Sequence, residues 1–201
     1  MKKQITWLDD ILKKYKFFFI LFLFLSLPNL TYASDRWILD KELSTIEFEL
    51  PVLFAKNVKG SFNTMEGFIE LDVNQKENNK AIFYVEINDL DMNYTKYKDL
   101  LLSNIFFDAK QFPKAVVDTK KFSYVNETEL TLDVELTIKG KSETVPLSLN
   151  VKRLAEELVQ IKCELIFSRT SFEIGIGNWK NTSILKDKVK LHTNLFLFRE
   201  E

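Results

Sequence analysis

The residues of this chain that could do chemistry are few. It has one His, His192, and one Cys, Cys163. In V-K-L-H-T-N-L the His alternates out of phase with Leu191 and Leu195, which puts it on the wet face of a strand. A Ser-His-Asp or Cys-His arrangement needs that imidazole beside a nucleophile. One His with one Cys cannot form an ordinary zinc site. Cys163 falls on the inward register of V-Q-I-K-C-E-L-I-F and reads as a small core residue. Glu47 and Glu49 stand two apart on one wet face, where charged residues are the default. Arg169 has two readings, contact with an anionic group or an ion pair with a surface carboxylate. Gly175 and Gly177 in R-T-S-F-E-I-G-I-G-N-W lack the further glycine spacing and the Lys of a phosphate loop. They fit a bulge or bend, with Trp179 closing one end of the fold. No catalytic residue, metal ligand or cofactor site is expected.

Residues 1–33 read as a signal peptide: a Lys-bearing start, the uncharged run F-F-F-I-L-F-L-F-L-S-L from Phe17 to Leu27, and T-Y-A-S. The apolar run falls short of the ~20 residues of a membrane span. Thr31 and Ala33 fit cleavage after Ala33; cleavage after Ser34 and a retained leader are the alternatives. No Cys near the site offers a lipid anchor. The leader takes five of the 28 basic and two of the 29 acidic residues, so residues 34–201 carry 23 against 27, a net charge of about −4. Nucleic acid is a poor partner for that surface. No stable membrane insertion is expected once the leader is removed. A single Cys leaves no internal disulfide, so a core must stabilise the fold, and residues 34–201 suffice for one domain.

Seven segments alternate apolar and polar residues, as strands with one buried face do. They are T-I-E-F-E-L, G-F-I-E-L-D-V, A-I-F-Y-V-E-I, E-L-T-L-D-V-E-L-T-I, V-P-L-S-L-N-V, V-Q-I-K-C-E-L-I-F and V-K-L-H-T-N-L-F-L. Val116 and Val117 suggest one more. Short turn-rich breaks, K-G-K-S among them, make antiparallel hairpins of neighbours. The exception is one short helical insertion near residues 94–104. The chain is therefore expected to be all-β, with its sheet closed into a barrel or stacked in two layers.

Five motifs in order resemble the YceI-like family of lipid- and polyisoprenoid-binding proteins. They are W-I-L-D-K-E-L-S-T-I-E-F (Trp37 to Phe48), V-K-G-S-F with G-F-I-E-L-D, D-L-L-L-S-N-I-F-F-D-A-K-Q-F-P (Asp99 to Pro113), L-T-I-K-G-K-S-E-T-V-P-L, and S-R-T-S-F-E-I-G-I-G-N-W. The resemblance implies a single eight-stranded antiparallel lipocalin-like barrel over residues 34–201, located in the bacterial periplasm. It implies a cavity for a long isoprenoid or other amphiphilic lipid. The family's His just before the position of Ser44 is Leu43 here, and a second family His is absent from E-L-P-V-L-F. Head-group chemistry is therefore the least transferable implication.

On that frame the candidate lining comes from inward strand positions Phe48, Phe83, Val85, Leu132, Val134 and Phe167. Leu101 joins from the helical insertion and Phe172 from R-T-S-F. Phe106, Phe107 and Phe112 lie at a barrel rim, as a gate, a cavity wall or a core plug. The expected function is sequestration or transport of a polyisoprenoid, quinone or fatty-acid-like lipid. The alternative is a structural or stress-response interaction module with a filled barrel. A homodimer is left open.

Overall fold

The computed structural model describes residues 34–52, 57–72, 74–125 and 128–200. The expected leader, residues 1–33, and Val73 of the second alternating segment lie outside them. Among the described residues, eleven strand segments form one continuous antiparallel sheet. They are β1 (Ser34–Leu39), β2 (Thr45–Leu50), β3 (Val58–Phe62), β4 (Met65–Asp72), β5 (Lys80–Glu86), β6 (Leu90–Met92), β7 (Lys114–Asp118), β8 (Glu129–Ile138), β9 (Lys141–Ala155), β10 (Leu158–Ser168) and β11 (Lys188–Arg199).

The first six segments are three long strands, each interrupted once. β1 and β2 both pair with β11 on one side, and with β4 and β3 on the other. β4 and β3 in turn pair with β5 and β6. Counted this way the sheet is an eight-stranded meander, each strand beside its chain neighbour, and the β1–β11 pairing closes the barrel. The expected eight strands are those found. Closure removes the exposed edges that an open sheet would present.

The interruptions have identifiable chemistry. Between Leu39 and Thr45 the chain spends six residues against three on β11, since Leu39 faces Leu197 and Thr45 faces Asn194. The Asp40 carboxylate accepts the backbone N–H groups of Glu42 and Leu43 at 2.9 and 3.0 Å, which holds that bulge. A 3-10 turn, Ile87–Asp89, separates β5 from β6. The β8–β9 hairpin turns on Lys139 and Gly140, both at positive φ (52° and 71°), with Ile138 facing Lys141. That is a two-residue type I′ turn, whose twist matches the strands.

The alternation seen in the sequence is the inside–outside alternation of the barrel. In β8, Val134, Leu136 and Ile138 are buried while Glu129, Thr131 and Asp133 are exposed. One hydrophobic core occupies the barrel interior. The segment between β6 and β7 carries the helical insertion, a 3-10 turn (Thr95–Tyr97) running into helix α1 (Lys98–Leu102). It returns to the barrel where the Pro113 carbonyl accepts the N–H of Ile87 at 2.8 Å. A second long connection, residues 169–187, joins β10 to β11 at the same end. The N–H groups of Gly175 and Ile176 donate to the Ile105 carbonyl at 2.9 and 3.0 Å and tie the two connections together.

Candidate functional site

The barrel is not completely filled. A cavity of about 410 Å³ runs inside it, walled almost wholly by aliphatic and aromatic side chains. All eleven strand segments contribute to the wall, β1, β4 and β6 through one terminal residue each, Leu39, Met65 and Met92. The two connections at one end complete it through Leu101, Phe106, Trp179 and Leu185.

Seven of the expected lining residues meet in this wall: Phe48, Phe83, Val85, Leu101, Phe106, Phe107 and Phe167. Phe48, Phe62 and Phe107 form an aromatic series, with ring centroids 5.6 and 6.1 Å apart. Edge-on and tilted contacts of this kind stabilise aromatic clusters. Phe106 is buried and packs edge-on against Trp179 at 5.6 Å. Of the three phenylalanines in the rim segment, then, Phe106 and Phe107 are cavity wall.

The other four do not line the cavity. Phe112 is turned onto the β8–β9 hairpin, where a Cβ on Gly140 would stand 2.7 Å from its ring. Phe172 is fully buried one layer further out, edge-on to Phe167 at 5.4 Å. Leu132 and Val134 face inward but too far along β8. β7 pairs with β8 only at Glu135, Leu136 and Thr137, so residues 129–134 have no partner on that side among the described residues, and Val134 is buried in the core. There Leu132 packs on the core, and Leu136 and Ile138 take the lining role.

Several wall residues carried no periodic signal. Tyr94, Tyr97, Ile184 and Leu185 sit on the connections, where side-chain direction follows no simple repeat. Phe62 and Met65 flank the break between β3 and β4. The glycine spacing of β3 and β4 does leave a trace. Gly60 faces Phe48 and Gly67 faces Phe83 across their ladders, and in each case the ring covers the glycine. Such cross-strand cover of a glycine by an aromatic ring is a known stabilising pair.

The guanidinium at the wall is already engaged. Arg169 is 0% exposed, and all three guanidinium nitrogens donate to backbone carbonyls. Nε bonds Lys186 at 2.9 Å, Nη1 bonds Ile174 at 2.8 Å, and Nη2 bonds Leu185 at 2.7 Å. It therefore neither reaches for a ligand nor sits in a surface ion pair; it clamps the 169–187 connection. Burial lowers its pKa, and the nearby Asp187 carboxylate opposes that. Lys139, outside the wall, donates to the carbonyls of Asn104 and Glu173 at 2.7 and 3.1 Å. Burial pushes the Cys163 thiol up to about 11, with the Thr193 hydroxyl beside it opposing slightly. The described lining contains no carboxylate and no imidazole.

His192 is on the outer face, as its register requires, with Nδ1 3.6 Å from Glu164 Oε2. Leu43, at the position of the family's first His, is half exposed and away from the cavity wall. Among the described residues no group of three or more His, Cys, Asp or Glu is placed to hold a metal ion. No helix among them is long and apolar enough to cross a membrane.

The fold recurs in solved structures. BcnA of Burkholderia cenocepacia superposes with a TM-score of 0.71 at 24% identity, over 79% of this chain and 98% of that one. A polyisoprenoid binding domain from Saccharophagus degradans, implicated in plant cell wall breakdown, gives 0.64 at 15% identity, over 82% and 98%. In sequence, a UPF0312 protein of Vibrio vulnificus (strain YJ016) is 26% identical over 127 residues, 63% of this chain and 67% of that protein. A UPF0312 protein of Staphylococcus aureus (strain N315) is 30% identical over 109 residues, 53% of this chain and 61% of that protein. The model of the YceI-like domain matches residues 37–197, the whole barrel from Trp37 to Leu197. By that match, and by a barrel built as its five motifs implied, the chain belongs to the YceI-like family.

Proposed function

We propose that this protein is an exported, non-catalytic carrier that holds one long apolar chain inside its barrel. The ligand class is a polyisoprenoid, quinone or fatty-acid-like lipid. The observation that carries the proposal is the apolar cavity of about 410 Å³. Pockets for small ligands run from ~300 to ~1,000 Å³ and are mostly apolar. Each buried methylene contributes about 0.8 kcal/mol, so a long chain binds such a wall with little polar help. The polyisoprenoid-binding description of the Saccharophagus domain supports the ligand class. A barrel filled by its own side chains, acting only through its surface, would have no such void.

Carriage rather than catalysis is supported by the wall itself. Its thiol is held protonated, its guanidinium is spent on carbonyls, and no acid or base of useful pKa faces the lumen among the described residues. Export to the periplasm is supported by the basic, apolar and small-residue order of residues 1–33. Oligomeric state is part of the same question, since a homodimer would add a second copy of the chain as a partner.

The test is a titration of delipidated protein with dansyl-undecanoic acid, followed by competition with a polyprenol. Saturable one-to-one binding that the polyprenol displaces is expected. Absence of saturable binding by folded protein would overturn the proposal.

A further inference from the structure

A residue that both lines the cavity and is exposed marks its mouth. Tyr97 is 42% exposed, Trp179 37% and Ile184 52%, and all three line the wall. Ile176, also exposed, accepts the N–H of Trp179 at its carbonyl and extends the same apolar rim. The mouth is thus an exposed ring of large aromatic and aliphatic side chains. Monomeric proteins rarely leave such a ring without a use.

The charge of the rim is the second observation. Residues 93–102 and 176–186 hold Lys96, Lys98, Lys180 and Lys186 against one acid, Asp99. The whole chain has a net charge of −1, so this excess is local. None of the four lysines ion-pairs with a carboxylate among the described residues. Lys96 instead sits 4.9 Å over the Tyr97 ring. Elsewhere among the described residues Lys59, Lys80, Lys114, Lys120, Lys141 and Lys190 are paired with acids, while others such as Lys41, Lys152 and Lys162 are not. It is the local excess of lysine beside an apolar mouth that sets the rim apart. Asp187, next to Lys186, is held by Ser168 and Thr170. Trp and Tyr with free lysines form the composition of a membrane–water interface, where amphipathic rings settle at head-group level and lysines meet anionic lipids.

We propose that the mouth docks reversibly on an anionic phospholipid surface, with Trp179, Tyr97 and Ile184 entering the interface and Lys96, Lys180 and Lys186 facing lipid phosphates. This inference rests on the carrier reading. Docking mouth-down lets an apolar chain pass from bilayer to cavity without crossing water, and peripheral contact needs no spanning segment.

The experiment is vesicle flotation of protein purified after expression of the full chain. Phosphatidylcholine vesicles are compared with vesicles containing phosphatidylglycerol. Tryptophan emission is followed in parallel, since Trp37 is buried and Trp179 is exposed. Co-flotation only with phosphatidylglycerol vesicles is expected, lost at high salt. An accompanying blue shift in emission should be absent from Trp179→Phe. The double variant K180E/K186E changes exposed, unpaired side chains that do not line the cavity, so the fold is not at stake. It should partition about tenfold less or weaker still, while binding the dansyl probe as before. The inference is overturned by failure to float, by equal flotation of the double variant, or by a second copy covering the rim. The last would appear as a dimer broken by Ile184→Ser. Probe binding without flotation sinks this inference alone. Flotation without probe binding sinks the carrier reading instead.

Discussion

Phe48 and Gly60 face each other across the β2–β3 ladder, and a Cβ on residue 60 would stand 2.6 Å from the Phe48 ring. The ring can lie flat against the cavity wall only because that Cβ is missing. The Asp91 carbonyl crowds the same point. Gly60→Ala must therefore push Phe48 into the lumen. It should cost about 1–3 kcal/mol, as overpacking does, and lower ligand capacity together with stability. Urea denaturation and dansyl-probe titration of the variant read the two effects separately.

Phe83 and Leu132 share an inward register but not a role. Phe83→Ser removes wall and should lower ligand load. Leu132→Ser changes a residue that does not border the void and should leave load unchanged. Both should cost stability, about 2–4 kcal/mol, by loss of apolar packing. Equal loss of ligand in the two variants would show that depth along β8 does not matter.

That contrast also shows what sequence could and could not reveal. The strands themselves were legible, because alternation over E-L-T-L-D-V-E-L-T-I is the burial pattern that β8 adopts. The short helix was legible from the one segment that broke the alternation. What alternation cannot carry is depth. Leu132, Val134, Leu136 and Ile138 look alike in the sequence, yet only Leu136 and Ile138 of the four border the void. The three phenylalanines of the rim segment divide for a similar reason, since Phe112 is drawn off to cover Gly140. The mouth residues were least legible, because their directions are set by contacts between two connections far apart in sequence.

Arg169 is a clamp whose removal leaves buried carbonyls of Ile174, Leu185 and Lys186 without donors. Arg169→Met should destabilise by about 3 kcal/mol or more. Because the guanidinium does not face a ligand, probe competition by charged and neutral lipids should keep its rank order in whatever fraction remains folded. A changed preference between fatty acid and polyprenol would assign Arg169 a head-group role.

Asp187 sets an acid limit on stability. Burial raises its pKa, but hydrogen bonds from Ser168 and Thr170 outweigh that and hold it below the ordinary 3.8. A carboxylate with a depressed folded pKa stabilises the fold above its unfolded value. That contribution is lost as pH falls through the folded value. Asp72 and Asp118 are depressed too and act with the same sign. The urea midpoint should be flat above about pH 5 and fall below pH 4. Asp187→Asn should lower the plateau and shallow the acid limb. An unchanged limb would remove Asp187 from this account.

Cys163 offers a reporter inside the cavity. With its pKa pushed up from 9.0 to about 11, its thiolate fraction near neutral pH falls about hundredfold. Iodoacetamide should label it at least that much more slowly in native than in urea-unfolded protein. Bound lipid should slow the reaction further, and fast labelling of the loaded protein would place the ligand elsewhere.

The most direct measurement is a native mass spectrum of protein expressed with its own leader and purified without detergent, followed by organic extraction. The account predicts a bound lipid of defined mass in stoichiometric amount, released by the solvent. A bare polypeptide mass, with delipidated protein that takes up no chain, would contradict it.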